Sequence, residues 1–232
     1  GEAIASVWPA RRMQCRVPRF IEGKMGYYAL AAETTITEGT GAAALASKDV
    51  GLTGAKALVS GEKGVFSLCR PPGHHAARDM FGGYCFLNNA AIAAQYLRDQ
   101  GAERVAILDV DFHHGNGTQD IFYERDEVLF CSLHGDPEEA FPHFLGYADE
   151  TGLGAGIGLN RNYPLPRGTS FTEWRAALED AMGHIRSYAP QYLVILLGVD
   201  TFENDPISFF KLTTPDYLTT GELIGSLDLP TL

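Results

Sequence analysis

The sequence lacks several features that would assign it to a class at once. Cysteine is sparse: Cys15, Cys69, Cys85 and Cys131 are the only four in 232 residues, and none forms a C-x-x-C pair. Three of them sit in apolar stretches and read as buried thiols of a reducing cytoplasm, without a chemical role. No apolar run approaches the ~20 residues that span a bilayer, and no charged, apolar, small-residue leader opens the chain. A soluble protein with no membrane partner is therefore expected. Positive charge is scarce as well. Eighteen Lys and Arg against 29 Asp and Glu leave a formal charge of −11. Such a surface repels phosphate backbones, which argues against nucleic acid, and favours cationic ligands where acidic groups gather at a cleft. Internal repeats, low-complexity tracts and linkers are missing too, and 45% hydrophobic with 20% charged residues excludes a disordered chain.

Short apolar runs instead alternate with helical periodicity. Strands are expected at 65–68, 105–110, 128–133 and 192–197, and helices at 88–97, 117–123 and 215–224. A further helix opens at Ser170 with Glu173 at the capping-box spacing and runs through Trp174, Leu178, Met182 and Ile185. Continuous β-branched runs between helices imply an α/β fold with a parallel sheet covered on both faces. Residues 23–32 and 42–46 favour helix. Residues 1–20, with Pro9, Arg11, Arg12 and Pro18, read as an irregular excursion and a candidate interface.

Ligands of such sheets bind beyond the carboxyl ends of the strands, and here those ends are unusually polar. One strand leads into Arg70-Pro71-Pro72-Gly73-His74-His75, another ends Asp109-Val110-Asp111-Phe112-His113-His114-Gly115-Asn116, and a third ends Gly198-Val199-Asp200. Alternation puts Asp109, Asp111 and His113 on one face and turns Val110 and Phe112 the other way. Carboxylates and an imidazole are not buried together unless a cation neutralises them. With Asp200 from a neighbouring strand, Asp111 and His113 make an open site of one His and two Asp. Zinc suits it, and iron(II), manganese or cobalt are compatible. His74 and His75 are poor core material, because each imidazole needs its own partner. A neutral imidazole beside a metal site is a general base, and Asp109 and Asn116 can each accept a hydrogen bond from one ring.

These motifs carry a resemblance. The segments RPPGHHA, GGYCFLNNAAIAA, ILDVDFHHGNGTQ, SLHGD and LGVDTFENDP resemble the histone deacetylase superfamily. GEAIASVWPARR, DMFGGYCF, HGDPEEAFPHFLGYA and DPISFFKLT are similar to the bacterial acetylpolyamine amidohydrolases. The resemblance implies a three-layer arginase/deacetylase-like fold, a mostly parallel sheet with helices on both faces, spanning 1–232 as one deacetylase domain. It further implies zinc on Asp111, His113 and Asp200, His75 backed by Asn116 as base and then acid, and His74 backed by Asp109 as an electrostatic partner. Potassium would be held by Asp109, Asp111, His113, Ser132 and Leu133. Tyr84 and Phe141 would wall a substrate tunnel, with Glu22 and Glu33 near its entrance. The implied reaction hydrolyses acetylated polyamines and similar small cationic amides to acetate and a free amine. Residues 1–20 match a segment with which relatives pair, so a homodimer is implied.

The family's oxyanion donor is a tyrosine in a Gly-Gly-Tyr turn that would lie beyond Leu232, and both chain ends read as cut inside expected elements. Alternatives are a protein acetyl-lysine deacetylase, a two-metal ureohydrolase-like enzyme, or an impaired fragment that binds only metal and acyl ligands. Other features have plainer readings: Gly152, Gly154, Gly156 and Gly158 as a loop lining the pocket, His134 and His143 as rim or loop histidines, Trp174 as core, and residues 205–211 as packing.

Overall fold

Three of the four expected strands pair side by side in the computed structural model, which describes residues 1–10 and 15–232. β1 (Val105–Asp109) lies between β2 (Val128–Gly135) and β4 (Tyr192–Leu196), and β3 (Asn160–Leu165) flanks β2, giving the order β3-β2-β1-β4 with every pair parallel. β1 is buried at all positions, so its alternating side chains serve two cores. Ala106 and Leu108, followed by Val110 and Phe112, join Trp174, Leu178 and Ile185 of α5 (Phe171–Tyr188) and Ile224 of α6 (Thr214–Gly225). Val105 and Ile107 face the other way. They meet Leu58 of α2 (Thr40–Val59), Ala94 and Leu97 of α3 (Asn89–Asp99) and Phe122 of α4 (Asn116–Phe122). Each large aliphatic or aromatic side chain so buried contributes about 1.5–3 kcal/mol. Helices therefore cover both faces, and every strand delivers its carboxyl end to the same edge.

Two expectations about strands are corrected. Residues 65–68 form no strand: their neighbour, residues 230–232, gives one bridge, Gly64 to Thr231, with Val65 donating its N–H to the Thr231 carbonyl. Phe66 and Leu68 remain 73% and 78% exposed. Conversely, Asn160–Leu165 is a strand despite its polar residues and Pro164, because an edge strand tolerates the missing N–H. Among the helices, α1 (Ile21–Tyr28) is shorter than expected, and α2 runs well beyond 42–46 to Val59. The Ser170–Glu173 capping box is present.

The opening segment is irregular where it is described. Ala3 bridges Ile36, and the Trp8 indole donates to the Ala29 carbonyl at 2.9 Å. Arg11 and Arg12 lie outside the described residues. Among the described residues, no helix is long and apolar enough to cross a membrane.

Candidate metal centre and paired-histidine cavity

The site is assembled where β1 and β4 end. β1 stops at Asp109, which is fully buried and stands in register with Ser132 of β2 and Leu196 of β4. Past it the chain turns: the Asp111 N–H donates to Asp109 Oδ1 at 3.1 Å, and the His113 N–H donates to Asp111 Oδ1 at 2.7 Å. Phe112 anchors this turn by packing edge-on against Phe209 and Phe210, with centroids 4.7 and 4.9 Å away. Its N–H donates to Asp200 Oδ1 at 2.9 Å, which ties the tip of β4 to that of β1.

In this way Asp111, His113 and Asp200 each bring a donor atom within 4.8 Å of the others, and no second such group of three occurs among the described residues. His113 Nδ1 is 2.8 Å from Asp200 Oδ2 and 3.3 Å from Asp111 Oδ1. Burial works against a charge on this ring, yet hydrogen bonds to the two carboxylates push His113 up to about 10. Burial raises Asp200. Asp111 is lowered, because the positive rings of His74 and His113 outweigh its burial. Two carboxylates thus compete for whatever positive charge is within reach. A borderline divalent cation taking one nitrogen and two oxygen donors satisfies that demand directly, so the donor set fits such an ion.

The histidine pair is held from behind by α4. The N–H groups of Gly117 and Thr118, in its first turn, donate to the His74 carbonyl at 3.0 and 3.2 Å. Gly117 is required by this approach: a Cβ there would stand 2.3 Å from the Ala76 carbonyl oxygen. Asn88, the N-cap of α3, accepts from the Ala91 N–H and donates to the Ala76 carbonyl, fixing the strap from its other side. Both rings are buried, at 7% and 3% exposed, with centroids 4.0 Å apart. His74 Nδ1 donates to Asp109 Oδ2 at 2.9 Å, and His75 Nδ1 donates to Asn116 Oδ1 at 2.6 Å.

Those partners separate the two charge states. Burial opposes protonation of His74, but the Asp109 and Asp111 carboxylates overcome it and lift the ring to about 9. Asp109 itself is raised by burial, with His74 opposing; the pair shares one proton, and we place it on His74, which touches two carboxylates. His75 has only a neutral amide behind it. Burial and the neighbouring His74 charge hold it well below the ordinary histidine value.

A cavity of about 610 Å³ brings His74, His75, Asp111, His113 and Asp200 together with Tyr84, Phe141 and Glu33. The Phe141 ring meets His75 edge-on at 5.1 Å. Glu139 and Arg167 also line the cavity and pair at 2.7 Å, the guanidinium lying 4.4 Å over Phe209. Glu33 accepts the Gly83 N–H at 3.4 Å. Glu22 is not brought in: it stands exposed in the first turn of α1 and does not line this cavity. Ser132 and Leu133 are fully buried on β2, behind Asp109.

Sequence reasoning misplaced two features. His134 is no rim residue: it is fully buried, paired with the Ser132 hydroxyl at 2.9 Å and the Gly146 carbonyl at 2.8 Å. The glycine loop at 152–158 does not line the cavity but packs on Tyr123, where the Leu153 N–H bonds the Tyr123 carbonyl. Not singled out were Thr34 and Arg167, which no local motif marks, and Glu139, which was read only as part of the segment HGDPEEAFPHFLGYA.

A covered parallel sheet whose strand tips gather one imidazole and two carboxylates beside twin histidines defines an α/β protein of the arginase/deacetylase-like class. Residues 6–231 match the histone deacetylase domain, and the chain belongs to that family. It is 61% identical over its whole length to the acetylpolyamine amidohydrolase of Mycoplana ramosa and 56% identical to acetylpolyamine amidohydrolase 1 of Pseudomonas aeruginosa, covering 68% of each. The crystal structure of an acetylpolyamine aminohydrolase from Burkholderia pseudomallei superposes with a TM-score of 0.95 at 41% identity, over 99% of this chain and 66% of that one. A histone deacetylase homologue from Aquifex aeolicus superposes at 0.77 with 30% identity, over 82% of this chain and 51% of that one. The chain thus spans about two thirds of the length of the amidohydrolases it matches.

Proposed function

We propose that this chain carries the metal and base machinery of a zinc-dependent deacetylase that hydrolyses acetylated polyamines and similar small cationic amides to acetate and free amine. The observation that carries the reading is the neutral His75, backed by Asn116, in one cavity with the Asp111, His113 and Asp200 group. Those three residues would hold the ion, which when bound polarises a carbonyl and lowers the pKa of water toward about 7.

The chain's own groups account for the proton. His75 Nδ1 is committed to Asn116, so Nε2 is the basic atom. It accepts a proton from the attacking water as the C–O bond forms, and returns that proton to the amine nitrogen as the C–N bond breaks. His74, protonated against Asp109, supplies fixed positive charge where the carbonyl oxygen gains negative charge. Tyr84 and Phe141 offer apolar walls to a methylene chain, and Glu33 a negative charge for a distal ammonium. The net charge of −11 and the named activity of the relatives support a cationic substrate. Potassium on Asp109, Ser132 and neighbouring carbonyls is part of the same reading, supported by the register of Asp109 with Ser132.

The test is substrate profiling of the full-length, zinc-loaded protein with metal analysis in parallel. Release of acetate from acetylputrescine and acetylspermidine is expected, with metal content and turnover lost in Asp111→Ala and Asp200→Ala. Cleavage of acetyl-lysine peptides alone would replace the polyamine reading with a protein deacetylase.

Residues 1–20 are proposed to pair two copies. Ile4, Val7, Val17 and Phe20 are 48–78% exposed there, apolar surface that a second copy would cover. Sedimentation of the full-length protein should give a dimer, and a monomer at micromolar concentration would refute the pairing.

A further inference from the structure

Residues 82–85 form a two-residue hairpin turn beside the histidine pair. The Gly82 and Cys85 backbones exchange hydrogen bonds of 3.0 and 2.8 Å, and the central residues Gly83 and Tyr84 have φ of 53° and 64°. Two positive φ values mark the turn type that selects Asn or Gly at its centre. A bulky tyrosine is an outlier there and persists only if its surroundings hold it.

The turn is pressed between the catalytic base and residues 28–34. A Cβ on Gly83 would stand 2.0 Å from His75 Cδ2, so this backbone lies against the ring itself. On the far side Leu30 donates to the Phe81 carbonyl, and Phe81 to that of Tyr28. A hairpin of this kind leaves its two central amides pointing outward. Here both are caught by one dipeptide: Gly83 donates to Glu33 Oε1 at 3.4 Å, and Tyr84 donates to Thr34 Oγ1 at 2.8 Å. Thr34 is 2% exposed, whereas Tyr84 is 56% exposed and lines the cavity. The hydroxyl is thus buried under an aromatic wall that has little else to fix its direction.

We infer that Thr34 is a positioning residue: its hydroxyl holds Tyr84 in the left-handed conformation and so sets the wall against which the substrate chain lies. The inference rests on the deacetylase reading of this cavity. It also gives Glu33 a second task, since one oxygen anchors the turn while the other remains available to an ammonium. Thr34 lines neither the cavity nor the ion-binding group, so its loss acts on binding more than on the chemical step.

Steady-state kinetics on full-length protein with acetylputrescine separates the possibilities. Thr34→Val keeps the shape and removes the acceptor; KM should rise about tenfold with kcat changed less than threefold. Thr34→Ser keeps the acceptor and should stay within twofold of wild type in both. Glycine needs no anchor at positive φ, so in a Tyr84→Gly background Thr34→Val should shift KM less than twofold. If Thr34→Val alone fails to fold, that background should restore a cooperative melt. Equal damage from Ser and Val, or the same KM rise in both backgrounds, overturns the positioning role while leaving the deacetylase reading intact. A wild-type protein that releases no acetate from any acetylated amine overturns both.

Discussion

His74 and His75 are adjacent in sequence, share a cavity and differ by one atom in the group behind each ring: an Asp oxygen for one, an Asn oxygen for the other. That difference decides the chemistry. A carboxylate behind a buried imidazole stabilises its charged form, whereas an amide orients the ring without neutralising it. Asn116→Asp should therefore convert the His75 environment into that of His74. The carboxylate favours protonated His75 and raises its pKa, and since the base must be neutral to act, the acidic limb of kcat/KM against pH should move to higher pH. Activity at pH 7 should fall by 10²-fold or so, a common value for a compromised general base, with recovery as the pH rises. A limb that stays in place, or moves to lower pH, would show that His75 is not the titrating base. At this scale the sequence was highly legible. Asp109, Asp111, His113 and Asp200 could be marked from side-chain chemistry just past strand ends, and His74, His75 and Asn116 from the partners their side chains need, because a cluster of buried and half-buried polar groups has few uses other than holding an ion or a proton. Glu22 was placed near the entrance by resemblance alone and does not line the cavity, since nothing local distinguishes an acid in a helix's first turn from one at a cavity.

At the scale of elements, legibility followed the origin of the stabilising contacts. Val105–Asp109 and Val128–Gly135 are buried throughout, and Tyr192–Leu196 at its centre, so each announces its strand through a mostly apolar run. The helix α5 declares itself through Ser170 and Glu173, a signal contained within four residues. Residues 65–68 carry the same kind of apolar run, but strand formation needs a partner, and residues 230–232 supply a single bridge. The error in β3 is the mirror image. Asn160 and Asn162 point into a buried polar network, donating to Gln119 Oε1 at 2.9 and 2.8 Å, so an alternation that should read as apolar inward reads as polar. The same network disguised His134, whose burial depends on the Gly146 carbonyl twelve residues away. Thr34 and Tyr84 meet across fifty residues of sequence, which no periodicity can reveal. Local pattern identified what local burial stabilises, and missed what is created only when distant segments meet.

Over the whole molecule, the acidic charge that suits a cationic substrate also sets a limit on stability. Two half-buried phenols add to it. Tyr188 is pushed up to about 12, first by burial, with Arg104 opposing, and its hydroxyl donates to the Asp126 carbonyl at 2.9 Å. Tyr163 is raised further by burial and by donating to Asp180 at 2.7 Å. Both are neutral donors in the folded chain, while in the unfolded chain they ionise near 10. Between pH 10 and 12 the unfolded state therefore binds fewer protons than the folded one, and the linkage relation makes stability fall as pH rises through that window. Ionisation also adds negative charge to a chain that already carries −11, and self-repulsion acts in the same direction. The buried thiols of Cys85 and Cys131 and the raised His74 act with the same sign at lower pH, so the melting temperature should already decline between pH 8 and 10 and drop more steeply above 10. Tyr188→Phe removes one of these titrations, so its melting temperature should decline less between pH 10 and 12 than that of wild type, whatever its value at pH 8. Salt at 0.5 M screens the repulsion but leaves the phenol's burial unchanged, so the difference in slope between wild type and Tyr188→Phe should survive it. Parallel curves for the two proteins would mean that Tyr188 has no part in the alkaline loss.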